Sequence, residues 1–132
     1  MLLALALTAA VSGNVLHDQE FTIRLPAGTH AVKSRVSFET DSYSIRDARN
    51  REIASIIAGG GAYDLHGYRR YCLNGSVAWL QDGGRSGTLV IGEPGVDAIS
   101  LSYDTHDVRQ LRMIKRMMAS LRLLEGGTVC RS

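Results

Sequence analysis

Four histidines, two cysteines and thirteen acidic residues are the groups in this 132-residue chain that could hold a metal or move a proton. His17, His30, His66 and His106 are scattered. None forms a His-x-His or His-x3-His pair, the spacings that bring two imidazoles to one face of a strand or helix. Asp64-x-His66 and Asp104-x-His106 could each supply two ligands from one element. Without further ligands nearby they read as histidines of surface loops, so neither a metal nor a cofactor is expected. Nucleophilic catalysis needs a nucleophile, a base and an orienting group. No Gly-x-Ser-x-Gly elbow occurs, and Ser76 and Ser86 stand in or beside turn-like stretches. Asp64, His66 and Cys72 are close enough in sequence for a Cys–His–Asp site. A small hydrolase using the His66 region is therefore the rival to a non-catalytic reading. Gly59-Gly60-Gly61 follows a strand-like run but lacks the flanking pattern of a phosphate loop, so it reads as a turn or bulge.

The segment Tyr63–Tyr71, YDLHGYRRY, holds three of the five tyrosines and two adjacent arginines. Tyr and Arg dominate binding hot spots because they offer large amphipathic area and planar donors. Tyr68, Arg69, Arg70 and Tyr71 are the candidate binding residues. Strand alternation would place Arg69 and Tyr71 on one face and Tyr68 and Arg70 on the other. The alternative is a strand whose tyrosines cover the sheet while its arginines face water.

Cys72 and Cys130 are expected to form a disulfide that pins the C-terminal tail; two reduced thiols are the alternative. An oxidising compartment agrees with the first residues. Leu2–Val11 is apolar except for Thr8, and small residues follow at Ala10, Ser12 and Gly13. That is the apolar region and exit of a secretory signal peptide. It is too short for a stable anchor, which needs about 20 apolar residues. Residues 1–13 are read as signal peptide, with cleavage after Ser12 or Gly13, and 14–132 as one α+β domain. Periplasmic or secreted localisation follows, with no transmembrane anchor after cleavage.

Hydrophobic residues make up 45% and charged residues 21%, which is ordinary globular usage. A net charge of +2 is too small to imply a nucleic-acid partner, and export argues against one. The basic surplus is local, with six basic residues against two acidic ones from Thr105 onward.

The elements that must position these residues follow from periodicity. Phe21, Ile23 and Leu25 alternate with polar residues until Pro26, and Pro26–Thr29 is a turn. Val36–Phe38, Tyr43–Ile45 and Ile53–Ala58 continue as strands, the last apolar on both faces. Asn74-Gly75 between strand-like runs is the strongest short hairpin signal. Thr88–Ile91 and Ala98–Tyr103 form a second hairpin around Gly92–Gly95. Val108, Leu111, Ile114, Met118 and Leu121 follow helical spacing, widened by Met117 and Leu124. Asp104, Thr105 and Asp107 supply the start, and Gly126 is read as the C′ residue. The fold class is α+β: an antiparallel sheet of hairpins packed against a C-terminal amphipathic helix.

FTIRLP at the start, an ISLSY strand and then an IKRMMASLRLL helix give an order of elements that resembles small exported proteins of the Mog1/PsbP-like fold. The resemblance covers residues 20–124. It implies α/β/α layering with a helix after the first strand, and a binding or assembly role rather than catalysis. It implies no site residues. The reading is an exported binding, assembly or inhibitory protein of the cell envelope, whose partner is another envelope protein or ligand. A third possibility is a binder of anionic surfaces acting through the basic helix.

Overall fold

Strand alternation builds most of the chain. The computed structural model describes residues 14–37, 40–59, 64–93 and 97–131. The predicted signal peptide lies outside these residues, as do Tyr63, Phe38, Gly60, Gly61 and the tip of the second hairpin. Seven strands form one antiparallel sheet: β3 (His30–Ser37), β4 (Thr40–Arg46), β5 (Glu52–Ala58), β6 (Arg69–Leu73), β7 (Ser76–Asp82), β8 (Ser86–Glu93) and β9 (Asp97–Asp104). Their order is β3-β4-β5-β9-β8-β7-β6. Tyr43, Ile45, Ala54, Ile56, Ile99, Leu101, Leu89 and Ile91 point to one face and are buried there, at period two. β5 lies inside the sheet, between β4 and β9. Its apolar run is not buried on both sides, since Ile57 is 40% exposed.

The strand at Phe21–Leu25 belongs to a second, smaller sheet and not to the sheet of hairpins. β1 (Asn14–His17), β2 (Phe21–Leu25) and β10 (Arg122–Leu123) pair in the order β1-β2-β10. Phe21, Ile23 and Leu25 point inward, and the Phe21 ring meets Tyr43 edge-on at 5.9 Å. The small sheet and the helix thus share one core with the large sheet. The positions where the resemblance implies a helix hold a turn, with Thr29 N–H donating to Pro26 O at 3.1 Å, and then β3.

The helix, α1 (Val108–Ala119), starts at Asp107, whose carboxylate accepts the N–H groups of Arg109 and Gln110 at 2.9 and 3.3 Å. Ile114, Met117 and Met118 are its buried residues. It stops five residues short of the predicted end. Leu121 is fully buried but lies beyond the helix, and Arg122 and Leu123 pair with Thr22 and Phe21. Pairing to β2 wins over continued helix. Val108 and Leu124, read as part of the stripe, are 64% and 52% exposed. Gly126 does adopt positive φ, but in the later turn with Gly127 and not as a helix cap.

The tail returns to the β6–β7 hairpin. Asn74 and Gly75 take φ of 49° and 86°, both positive as a type I′ turn requires. β7 pairs with β8 from Ala78 onward, and the N–H of Val77 instead donates to Thr128 O at 2.8 Å. Cys130 N–H donates to Gly75 O at 3.0 Å, and Cys72 and Cys130 are bonded with their Cα atoms 5.8 Å apart.

Candidate binding surfaces

Among the described residues β6 is an edge strand with one neighbour, β7. Register places Arg69 opposite Leu80 and Tyr71 opposite Ala78, on the face that looks toward the core. Arg70 opposite Trp79 and Cys72 opposite Val77 look the other way. Both arginines are exposed and Tyr71 is half-buried. The Arg69 guanidinium lies 5.6 Å from the centre of the Tyr71 ring, within reach of a cation–π contact. Burial raises the Tyr71 pKa, opposed by the charges of Arg69 and Lys115. Tyr68 precedes the strand. Its N–H donates to Leu65 O at 3.0 Å, after a turn in which Asp64 Oδ1 accepts the His66 N–H at 3.0 Å.

That turn bears on the hydrolase reading. The Asp64 carboxylate holds the backbone of His66, and the His66 ring is exposed. The Cys72 sulfur is taken up in the bridge to Cys130, so it cannot serve as a thiolate there. His106 Nδ1 lies 3.3 Å from an Arg85 guanidinium nitrogen. Among the described residues no three His, Cys, Asp or Glu side chains are grouped to hold a metal ion.

The polar cluster at the other end of β7 is a clamp. Asp82 accepts from Lys115 Nζ, from the Gly84 N–H at 2.9 Å and from the Tyr103 hydroxyl at 3.3 Å. Hydrogen bonding to Lys115 is the main cause of a lowered Asp82 pKa and, in return, of a raised Lys115 pKa. Gly87 leaves room for this arrangement, since a Cβ there would stand 2.5 Å from the Tyr103 oxygen. The cluster ties α1 to the β7–β8 hairpin.

One concave site escaped the sequence reading. On the outer face of the small sheet, Val15 pairs with Arg24 across β1 and β2, and Arg122 pairs with Thr22 across β10 and β2. The Arg24 N–H donates to Ser120 Oγ at 2.8 Å, which seats the end of α1 beside β2. Ser120 Oγ in turn donates to Met117 O at 2.7 Å. Asn74 Nδ2 donates to the carbonyls of Ala119 and Leu121 at 2.9 and 2.7 Å, satisfying acceptors that a helix end leaves open. Between these elements lies a hollow of about 540 Å³ lined by Arg24, Arg116, Arg122, Asn74 and Ser120 among others. A neighbouring hollow of about 420 Å³ shares Arg24 and Arg116 and adds Leu25, Pro26, Met113 and Met117.

Fold and surfaces together define a two-layer α+β protein with a disulfide-pinned tail and two arginine-bearing surfaces. No protein-family model matches the chain, and neither a curated protein nor a solved structure matches it.

Proposed function

We propose that this chain is an exported, non-catalytic binding or assembly protein of the cell envelope that meets its partner through Tyr68, Arg69, Arg70 and Tyr71. The observation that carries the proposal is the Arg69–Tyr71 stack on an edge strand. It offers stacking area and a planar donor fork on a strand that has one paired neighbour among the described residues, the combination that suits a protein partner carrying a carboxylate. Residues 1–13 act as signal peptide and 14–132 as a single domain in this reading. One feature supports export: the two cysteines are bridged, a state that persists in oxidising compartments. No helix among the described residues is long and apolar enough to cross a membrane.

The test is envelope cross-linking and capture, comparing wild type with Arg69→Ala/Tyr71→Ala and Tyr68→Ala/Arg70→Ala. Each variant is first shown to fold by circular dichroism. Loss of a central hot spot of about 2 kcal/mol weakens affinity roughly thirtyfold. If both folded variants hold every partner at wild-type yield, the segment is ordinary sheet covering.

A further inference from the structure

We infer that the two hollows beside α1 form one site for a monomeric amphiphile, a phosphate monoester or carboxylate carrying an apolar chain. The inference goes beyond the β6 surface and does not depend on it. Three observations combine. The first is charge. Arg24, Arg116 and Arg122 line the larger hollow, and among the described residues no acidic side chain lines either one. None of the three arginines is in an ion pair with another described residue. Guanidinium forks match carboxylate and phosphate oxygens bidentately and stay charged at every working pH.

The second is placement. Arg24 comes from β2, Arg122 from β10 and Arg116 from α1. Arg116 and Ser120 are four residues apart at the end of α1, so they share one side of it. The hydrogen bonds of Ser120 to Arg24 and of Asn74 to the end of α1 fix the three elements to one another. Three like charges are therefore brought around one depression by a rigid frame, and an anion would relieve their mutual repulsion.

The third is the second hollow. Arg24 and Arg116 stand in both linings, so they mark the boundary between a polar half and a half walled by Leu25, Pro26, Met113 and Met117. Methionine side chains adapt to apolar ligands of varied shape. The volumes fall in the range of small-molecule sites. An oxyanion head on the arginines would leave its chain directed along the methionine-lined half. A simple inorganic anion would use only the polar half.

The experiment is isothermal titration of the mature, oxidised protein with decyl phosphate below its critical micelle concentration. Parallel titrations use inorganic phosphate, a decyl glycoside of no charge, and vesicles containing phosphatidylglycerol. Wild type is expected to bind decyl phosphate at least tenfold more tightly than either inorganic phosphate or the uncharged decyl compound. Arg24→Gln/Arg116→Gln should lose at least tenfold in that affinity. Met113→Gln should weaken decyl phosphate while leaving inorganic phosphate unchanged. Arg69→Ala/Tyr71→Ala should bind decyl phosphate as wild type does, which separates this site from the β6 surface. Folding of each variant is checked by circular dichroism; if the double glutamine variant does not fold, Arg122→Gln and Met113→Gln carry the test. Equal affinity for decyl phosphate and inorganic phosphate would overturn the inference, as would unchanged affinity in the folded arginine variants. Binding to the anionic vesicles without binding to the monomer would also overturn it and make this face a membrane contact.

Discussion

Asn74 shows how much one residue does in this fold. Its φ of 49° lies in the left-handed region, where Asn is tolerated better than most side chains and Gly best. Its amide also closes the carbonyls of Ala119 and Leu121. Asn74→Gly keeps the turn and loses the two hydrogen bonds, at about 1 kcal/mol each. Asn74→Ala loses the bonds and adds roughly 1–2 kcal/mol of backbone cost. Urea midpoints should therefore fall in the order wild type, Gly, Ala; an Ala variant as stable as the Gly variant would contradict it. Asp82 gives a pH signature. Its pKa is lowered in the fold, chiefly by Lys115, so its stabilisation is complete above the unfolded value of about 3.9 and is lost as pH falls through the folded value. Lys115 has the opposite sign. Its pKa is raised, so its contribution is present below the unfolded value of about 10.4 and is lost as pH rises through the folded one. Asp82→Asn should be less stable than wild type at neutral pH, and the gap should narrow below about pH 4 in urea titrations at a series of pH values.

At the scale of elements, α1 is the clearest test of the core. Ile114 and Leu121 are both fully buried, so replacing either with Ala should cost about 2–5 kcal/mol through transfer and cavity terms. Arg112 is exposed, and its replacement by Ala should cost well under 1 kcal/mol in the same denaturant melts. The pair of results would show that Leu121 belongs to the core although it lies outside the helix. The same residue marks where the sequence stops being legible. Period-two alternation identified β2, β4 and the β8–β9 hairpin, and Asn-Gly located the β6–β7 turn, because those signals are local. β10 gives no local signal, since two residues paired to a strand about a hundred positions away look like a continuing helix. The arginine groove was hidden for the same reason. Arg24 reads as the solvent side of a strand, and Arg116 and Arg122 as the polar arc of a helix. Their meeting depends on the β10–β2 pairing and on the bond between Arg24 and Ser120. The Tyr68–Tyr71 segment was legible as composition, and its Arg69–Tyr71 stack follows from alternation. That it forms an edge strand does not, because β5 and β6 are parallel, separated by three strands, and joined by a connection whose crossing no local pattern encodes.

For the molecule as a whole, the bridge and the proposed export make one linked prediction. Cys72 and Cys130 are 58 positions apart and hold the tail against the β6–β7 hairpin, where Val77 and Cys130 make their backbone hydrogen bonds to Thr128 and Gly75. Closing a loop of that length removes about 4 kcal/mol of unfolded-state entropy in the chain-entropy model. That is a large part of the 5–15 kcal/mol by which domains are stable. Such a protein gains its full stability only where thiols are oxidised, so compartment and stability should change together. The material recovered from the native envelope should begin at Gly13 or Asn14 by N-terminal sequencing. Its intact mass should rise on reduction and alkylation by two blocked thiols and remain unchanged on alkylation alone. Cys72→Ser/Cys130→Ser should unfold at lower urea by up to that entropic amount, and hydrogen exchange at the backbone amides of Val77 and of position 130 should quicken as the tail frees. Protein that retains Met1 in the cytoplasm would defeat the export half of the prediction. Two thiols alkylated in native, unreduced material would defeat the bridge, and with it the account of how the tail is held.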